Sequence, residues 1–235
     1  MVKKYVIFVL LLSTLVVIGA AAMSEFGSAI AAWSDHAEPS RTIVIDAGHG
    51  GEDGGAIAVT GQKESQINLE ISLRLRDFLH LLGIRTEMIR TSDRSVYTEG
   101  NTIAQKKVSD IRHRVAMVED TPGAVLISIH QNHFSEEKYR GAQVFFGQSE
   151  ESKALAQALQ AALKGQVDPN NRRECKPARN IYLMEHVHCT AALIECGFLS
   201  NYAETQQLLE PSYQKKLSAA IGCCIYNFLE AKNEV

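Results

Sequence analysis

No stretch of this 235-residue chain gathers Lys and Arg densely enough to neutralise a phosphate backbone, and its formal net charge is -3, so nucleic acid is not an expected partner. The five cysteines, at positions 175, 189, 196, 223 and 224, contain no CxxC pair, and neighbouring Cys223 and Cys224 would point to different faces of a helix. A thiolate zinc site is therefore a poor reading, and an odd count does not make a disulfide framework. Buried free thiols are the expectation, with a Cys175 to Cys189 bridge as the alternative. Neither GK[ST] nor GxGxxG follows the glycines near residue 50, which removes the usual phosphate-loop signatures. Internal repeats and low-complexity segments are absent as well.

What remains is a globular composition, 46% apolar with mixed charges and able to bury a sizeable core. Lys3 and Lys4 precede an apolar run from Tyr5 to Met23, the pattern of an export segment. Residues 1–23 are expected to be a signal peptide, with Ala20 and Ala22 suiting cleavage, or else an N-terminal membrane anchor, since the run is long enough to span a bilayer. Residues 24–40 read as a linker and 41–235 as a single catalytic domain working outside the cytoplasm. Any membrane contact is assigned to the N-terminal segment alone.

Within that domain, apolar strand runs alternate with amphipathic helices. Ile43 to Ile45 form a strand that empties into the loop AGHGGEDGG; Glu64 to Leu82 carries a helical face of Ile67, Ile71, Leu75 and Leu79 and stops at Gly83. Arg85 to Arg90 predicts a short strand, closing a parallel strand-helix-strand unit. A polar turn over Thr91 to Glu99 precedes a second helix with Val108, Ile111, Val115 and Val118 inward. Ala124 to Ile129 is a buried strand that discharges into His130. Further strands are expected at Gly141 to Gly147, Asn180 to Met184 and Ala191 to Cys196. Helices are expected at 151–163, 202–210 and along a stripe of Leu217, Ile221, Cys224, Ile225 and Phe228. A polar loop over 165–179 is placed near the site. The fold class is α/β, three layers, a mostly parallel central sheet with helices on both faces.

His49, His130 and Glu195 lie at strand exits and Glu64 begins the first helix, so four chemically capable groups converge on one sheet edge. Two histidines and a carboxylate, His49, Glu64 and His130, match a three-ligand zinc site that leaves a position for water. Glu195, ending an otherwise uncharged run, suits a general base whose pKa is raised by burial. Each has a plainer account: turn histidines that satisfy backbone groups, a helix-start acid favoured by the dipole, a rim carboxylate paired with arginine. The residues alone leave a zinc hydrolase and a structural loop open.

In order along the chain, IVIDAGHGGEDGGA, Glu64, TSDRS, SIHQN and LIECGFLSN resemble the motifs of the zinc-dependent N-acetylmuramoyl-L-alanine amidases, over nearly all of residues 42–232. The resemblance implies one Zn2+ per chain held by His49, Glu64 and His130, and Glu195 as catalytic base. The implied substrate is peptidoglycan, cut at the amide between N-acetylmuramic acid and L-alanine. Asn132 and Arg114 are candidates for positioning substrate or bracing the site, and Asp46 for orienting a ligand histidine. KKVSDIRHRV and GAQVFF resemble the small amidases of endospore formers that act on the spore cortex and allow muramic δ-lactam formation and germination. An accessory protein that orders or localises the enzyme is a further candidate partner. Two other functions stay open, a peptidoglycan-binding module with a structural metal and a zinc peptidase acting within the stem peptide. His186 and His188 are expected to share a strand face, as surface histidines or as a second metal site.

Overall fold

The computed structural model describes residues 41–233. The expected signal or anchor and the linker lie outside the described residues. Six strands form one sheet in the order β2-β1-β3-β6-β4-β5: β1 Thr42–Ala47, β2 Thr86–Met88, β3 Ala124–Asn132, β4 Gln143–Phe146, β5 Lys176–Pro177 and β6 Thr190–Phe198. All neighbours pair parallel except β4 with β6. Helices α1 Glu64–Leu81, α2 Ile103–Glu119, α3 Glu150–Ala162, α4 Tyr182–His186, α5 Tyr202–Leu209 and α6 Pro211–Asn233 account for the other layers, as the α/β reading expects.

Alternation along the strands separates two faces. Ile43 and Ile45 of β1, Val125, Ile127 and Ile129 of β3, and Ala192 and Ile194 of β6 face α1, α3 and α6, whose Ile67, Ile71, Leu75, Leu159, Leu217 and Ile221 complete the larger core. Val44, Leu126, Ala191 and Leu193 face the other way, under Val118 of α2 and Leu183 and Met184 of α4. Each buried Leu or Ile is worth roughly 1.5–3 kcal/mol relative to exposure, so the larger core holds the strands firmly. Beyond Val44, Leu126 and Leu193 the second face turns polar, with Asp46, Ser128, His130 and Glu195 at the carboxyl ends of the parallel strands.

Several expectations change. Asn180 to Met184 is not a strand: Asn180 sits in the left-handed region at φ 60, and Tyr182–His186 forms a short helix. Leu183 and Met184 are both buried, which a helical turn permits and a half-buried strand does not. His186 and His188 therefore share no strand face; the His186 ring stacks on Tyr182 at 3.7 Å, and His188 Nδ1 lies 2.8 Å from Glu119. Val108 is 49% exposed, whereas Ser109 and Arg114 are buried with Val118 along α2. Ile111, Val115 and Val118 do face the core as expected; only Val108 is turned out, while the hydrogen bonds of Ser109 and Arg114 draw those two polar residues inward beside them. The stretch expected as a polar loop contains a π-helical turn, Leu163–Val167, and the edge strand β5. All five cysteines are free, Cys196 and Cys224 buried and the others half-buried.

Candidate metal centre at the sheet edge

The loop after β1 is held by its carbonyls. Arg90, fully buried just past β2, donates to Ala47 O at 2.7 Å and to Gly48 O at 2.9 Å. From the opposite side Arg114 of α2 donates to Ala47 O at 3.1 Å and to His49 O at 2.8 Å. Asn68, one turn into α1, donates to Gly48 O at 3.1 Å. Three consecutive carbonyls captured this way let His49 keep a left-handed backbone, φ 61, that a free chain would abandon. The strap Ser92 to Thr102 clamps the outside: Gly51 N donates to Asp93, Ser95 Oγ donates to Gly50 O, and α2 holds the strap in turn through Asp110 and Ser109. Any side chain at Gly50 would meet Arg94 O at 2.4 Å, so strap and loop touch backbone to backbone.

Within this frame the ligand atoms of His49, Glu64 and His130 all lie within 4.8 Å of one another. Glu64 Oε2 is 3.3 Å from His49 Nε2, and Oε1 is 3.0 Å from His130 Nδ1. The same carboxylate accepts from Ala56 N, Gln131 N and Asn68 Nδ2 at 3.0 to 3.2 Å, so its orientation is settled by the fold. Two glycines leave room for the cluster. A Cβ at Gly48 would fall 2.2 Å from the His130 ring, and one at Gly55 2.5 Å from Glu64 Oε2.

Electrostatics follow from crowding. Burial pulls His49 downward, but hydrogen bonds to Asp53 and Glu64 more than offset it and raise the imidazole to about 10 in the metal-free chain. Burial pushes Glu64 up, while its bonds to His130 and His49 outweigh that and hold it well below the usual carboxylate range. Such a cluster is a proton-loaded version of a cation site: a metal would replace the imidazolium proton.

Glu195 lies in register with His130 across β3 and β6 and shares with it and His49 a cavity of about 280 Å³. Its Oε2 is enclosed and has no hydrogen-bond partner among the described residues. Burial, opposed by His130 and reinforced by Glu64, raises its carboxyl to about 7. Ile103, Lys106 and Ile111 of α2 wall the cavity on one side and Ile181 and Leu183 on the other.

The remaining expected residues fall into place differently. Arg114 is buried and fully engaged, with Asp46, Asp110 and the loop carbonyls as partners. Asp46 reaches no histidine; it accepts from Arg114 and, at 2.7 Å, from Ser128 Oγ. Besides Glu64, the acid that contacts His49 is Asp53, 2.8 Å from His49 Nδ1 and bound on its other oxygen by Lys107 at 2.8 Å. Asn132 ends β3, its carbonyl accepting from Leu199 N at 2.8 Å, and its side chain is not among those lining the cavity. Arg90 and Asn68 escaped the sequence reading, although both carried a signal. Arg90 is a charge at a strand exit, like Glu195, and Asn68 is four residues after Glu64 on the same helical face.

Fold and cluster together define the class: a three-layer α/β protein whose sheet edge presents a His-Glu-His cluster that could hold a cation beside an isolated carboxylate. The chain belongs to the N-acetylmuramoyl-L-alanine amidase family, whose model matches residues 43–227. It is 36% identical over 198 residues to the germination-specific N-acetylmuramoyl-L-alanine amidase of Bacillus subtilis, covering 83% of this chain and 82% of that protein. Among solved structures it is similar to the CwlD amidase of Clostridioides difficile, solved in complex with the GerS lipoprotein, with a TM-score of 0.78, 38% identity and coverage of 81% and 99% of the two chains. An N-acetylmuramoyl-L-alanine amidase from Clostridium difficile 630 superposes with a TM-score of 0.73 at 26% identity, covering 83% and 100%. Family membership carries the activity, hydrolysis of the amide between N-acetylmuramic acid and L-alanine in peptidoglycan. No helix among the described residues is long and apolar enough to cross a membrane.

Proposed function

We propose that the chain is a zinc-dependent amidase of spore-cortex peptidoglycan, exported through its N-terminal segment, with His49, Glu64 and His130 as metal ligands and Glu195 as the catalytic base. The observation that carries this reading is the unpartnered, enclosed Glu195 Oε2 in register beside the His-Glu-His cluster. The donor set fits zinc: three nitrogen and oxygen ligands, with a neighbouring carboxylate that is not one of them. Zinc bound there supplies a Lewis acid for the scissile carbonyl and lowers the pKa of its water to roughly 7.

The chain's own residues do the rest. Glu195, raised to about 7, takes a proton from the attacking water and passes it to the leaving L-alanine nitrogen. Asp53 holds His49 by Nδ1, which leaves Nε2 facing Glu64. Arg114 and Asp46 brace the loop beneath His49, and Asn132 has at most a supporting place at the rim. The apolar cavity walls from α2 and α4 exclude water around the reacting bond. The germination-specific relative supports the cortex as the site of action, and the lipoprotein bound to the CwlD amidase supports an accessory partner here. The test is release of new L-alanine amino termini from purified cortex peptidoglycan. Activity is expected to vanish in chelator and to return with zinc; full activity in metal-depleted protein overturns the reading.

A further inference from the structure

Along the sheet edge the polar groups stand in spatial order: His49 after β1, His130 in β3, Glu195 in β6, then Gln143 in β4. Gln143 is the antiparallel partner of Glu195, so the two share a face with Cα atoms about 5 Å apart. Gln143 is buried, and its Oε1 accepts from Arg173 Nη1 at 3.0 Å. Arg173 also donates through Nε to Arg140 O at 2.8 Å, and its guanidinium lies 4.4 Å over the Phe198 ring. Its Nη2 has no partner among the described residues. A half-buried guanidinium held by two hydrogen bonds and an aromatic face, with donors left over, is pre-organised for a carboxylate. Exposed Arg172, Lys176 and Arg179 add positive charge to the same segment, whose acid Glu174 is paired with Lys164, and the carboxylate whose charge reaches Arg173, Glu204, has both oxygens taken by Gly141 N and Phe198 N.

Position says which carboxylate. A base that hands its proton to the leaving nitrogen must stand beside that nitrogen, so the departing peptide begins at Glu195. On one side of Glu195 lie the metal ligands; on the other lies β4, with Gln143 and Arg173. We propose that Arg173, buttressed by Gln143 and Phe198, is a specificity residue that binds the side carboxylate of the departing stem peptide on the residue next after L-alanine. This rests on the amidase reading with Glu195 as base.

Two soluble muropeptides that differ only in a free carboxylate or a carboxamide on the second stem residue test it. Zinc-loaded wild type is expected to favour the acid about tenfold in kcat/KM, the scale of one charge-assisted hydrogen bond. Arg173→Met should erase that preference, mainly through KM, and Arg173→Lys should restore part of it. Equal use of both substrates by wild type, or equal losses on both in Arg173→Met, overturns the proposal. Calorimetric binding of the product dipeptide to wild type gives a readout independent of turnover and of variant folding: the acid form is expected to bind more tightly than its amide, less so as salt rises, and equal binding overturns the proposal. Absence of turnover on both substrates overturns the amidase reading instead, with the dipeptide comparison still deciding the role of Arg173.

Discussion

The two faces of the sheet are built from the same strands and treat burial in opposite ways. The face under α1, α3 and α6 is built mainly of Ile, Leu and Val, with Ile45, Ile127 and Ile194 fully enclosed, and polar residues buried there, such as Asn68, Gln131 and Gln160, carry no charge. The face under α2 and α4 starts with Val44, Leu126 and Leu193 and then buries Asp46, Ser128 and Arg114 beside His130 and Glu195. A buried charge costs several kcal/mol unless paired, and Glu195 Oε2 is left unpaired. The lesson is a division of labour: one face supplies surplus stability, and the other can hold groups in unfavourable states because the strands beneath them do not move.

The largest effect should come from the unpaired group. Glu195→Gln is expected to keep bound zinc, measured by metal analysis, and to lower turnover by roughly 10²- to 10⁴-fold. In wild type, activity should fall as pH drops through and below about 7, where the carboxylate gains its proton; a nearby metal moves that limb further toward acid. The stability sign is the reverse of the usual salt-bridged acid. Because the folded pKa is raised from 4.5 to about 7, metal-free wild type loses stability from this group as pH rises across that range; Glu195→Gln should lose less between pH 5 and pH 8, keeping only losses from other groups such as the raised His49 imidazole. Thermal melts of both proteins at pH 5 and pH 8 measure the difference.

Next in size are paired disruptions, one on each face. Arg114→Met leaves Asp46 charged and unpaired in the interior and should cost about 3–5 kcal/mol together with loss of metal binding. Ile127→Ala on the closed face should cost about 2–5 kcal/mol in denaturant unfolding while zinc stoichiometry stays at one. If both variants lose metal in proportion to stability, the division of labour fails. A smaller effect is expected at Asp53. Asp53→Ala removes the partner of His49 Nδ1 and should weaken zinc binding by roughly 10- to 100-fold in competition titrations, with the melt in chelator changing less than for Arg114→Met. Smallest is Val108→Thr, on the exposed side of α2, expected within about 0.5 kcal/mol of wild type.

Much of this molecule was legible in the order of its residues. Strand runs such as AVLISI and helix stripes such as Ile67, Ile71 and Leu75 report their own burial, because a face that meets a core must be apolar at period two or 3.6. His49, Glu64, His130 and Glu195 could be nominated because each follows or begins such an element. Where local pattern was weak the reading failed. Five residues, Tyr182–His186, are too few to separate a strand from a turn of helix, and α2 turned its polar Ser109 and Arg114 inward because the strap and the loop carbonyls needed donors and acceptors there.

By itself, the sequence determined β1 to β4 and β6, the long helices, the exits at which the chemical groups stand and the glycines that make room for them, since these depend on neighbours a few residues away. Only the tertiary structure decided that Asp53 rather than Asp46 meets His49, that Arg90 and Arg114 grip the loop from two sides, and that Gln143, the strand partner of Glu195, accepts from Arg173. Apart from the Asp53–His49 pair, which lies four residues apart within the braced loop, those contacts join residues up to 67 positions apart, and their choice of partner was made by sheet order and register, which no local pattern encodes.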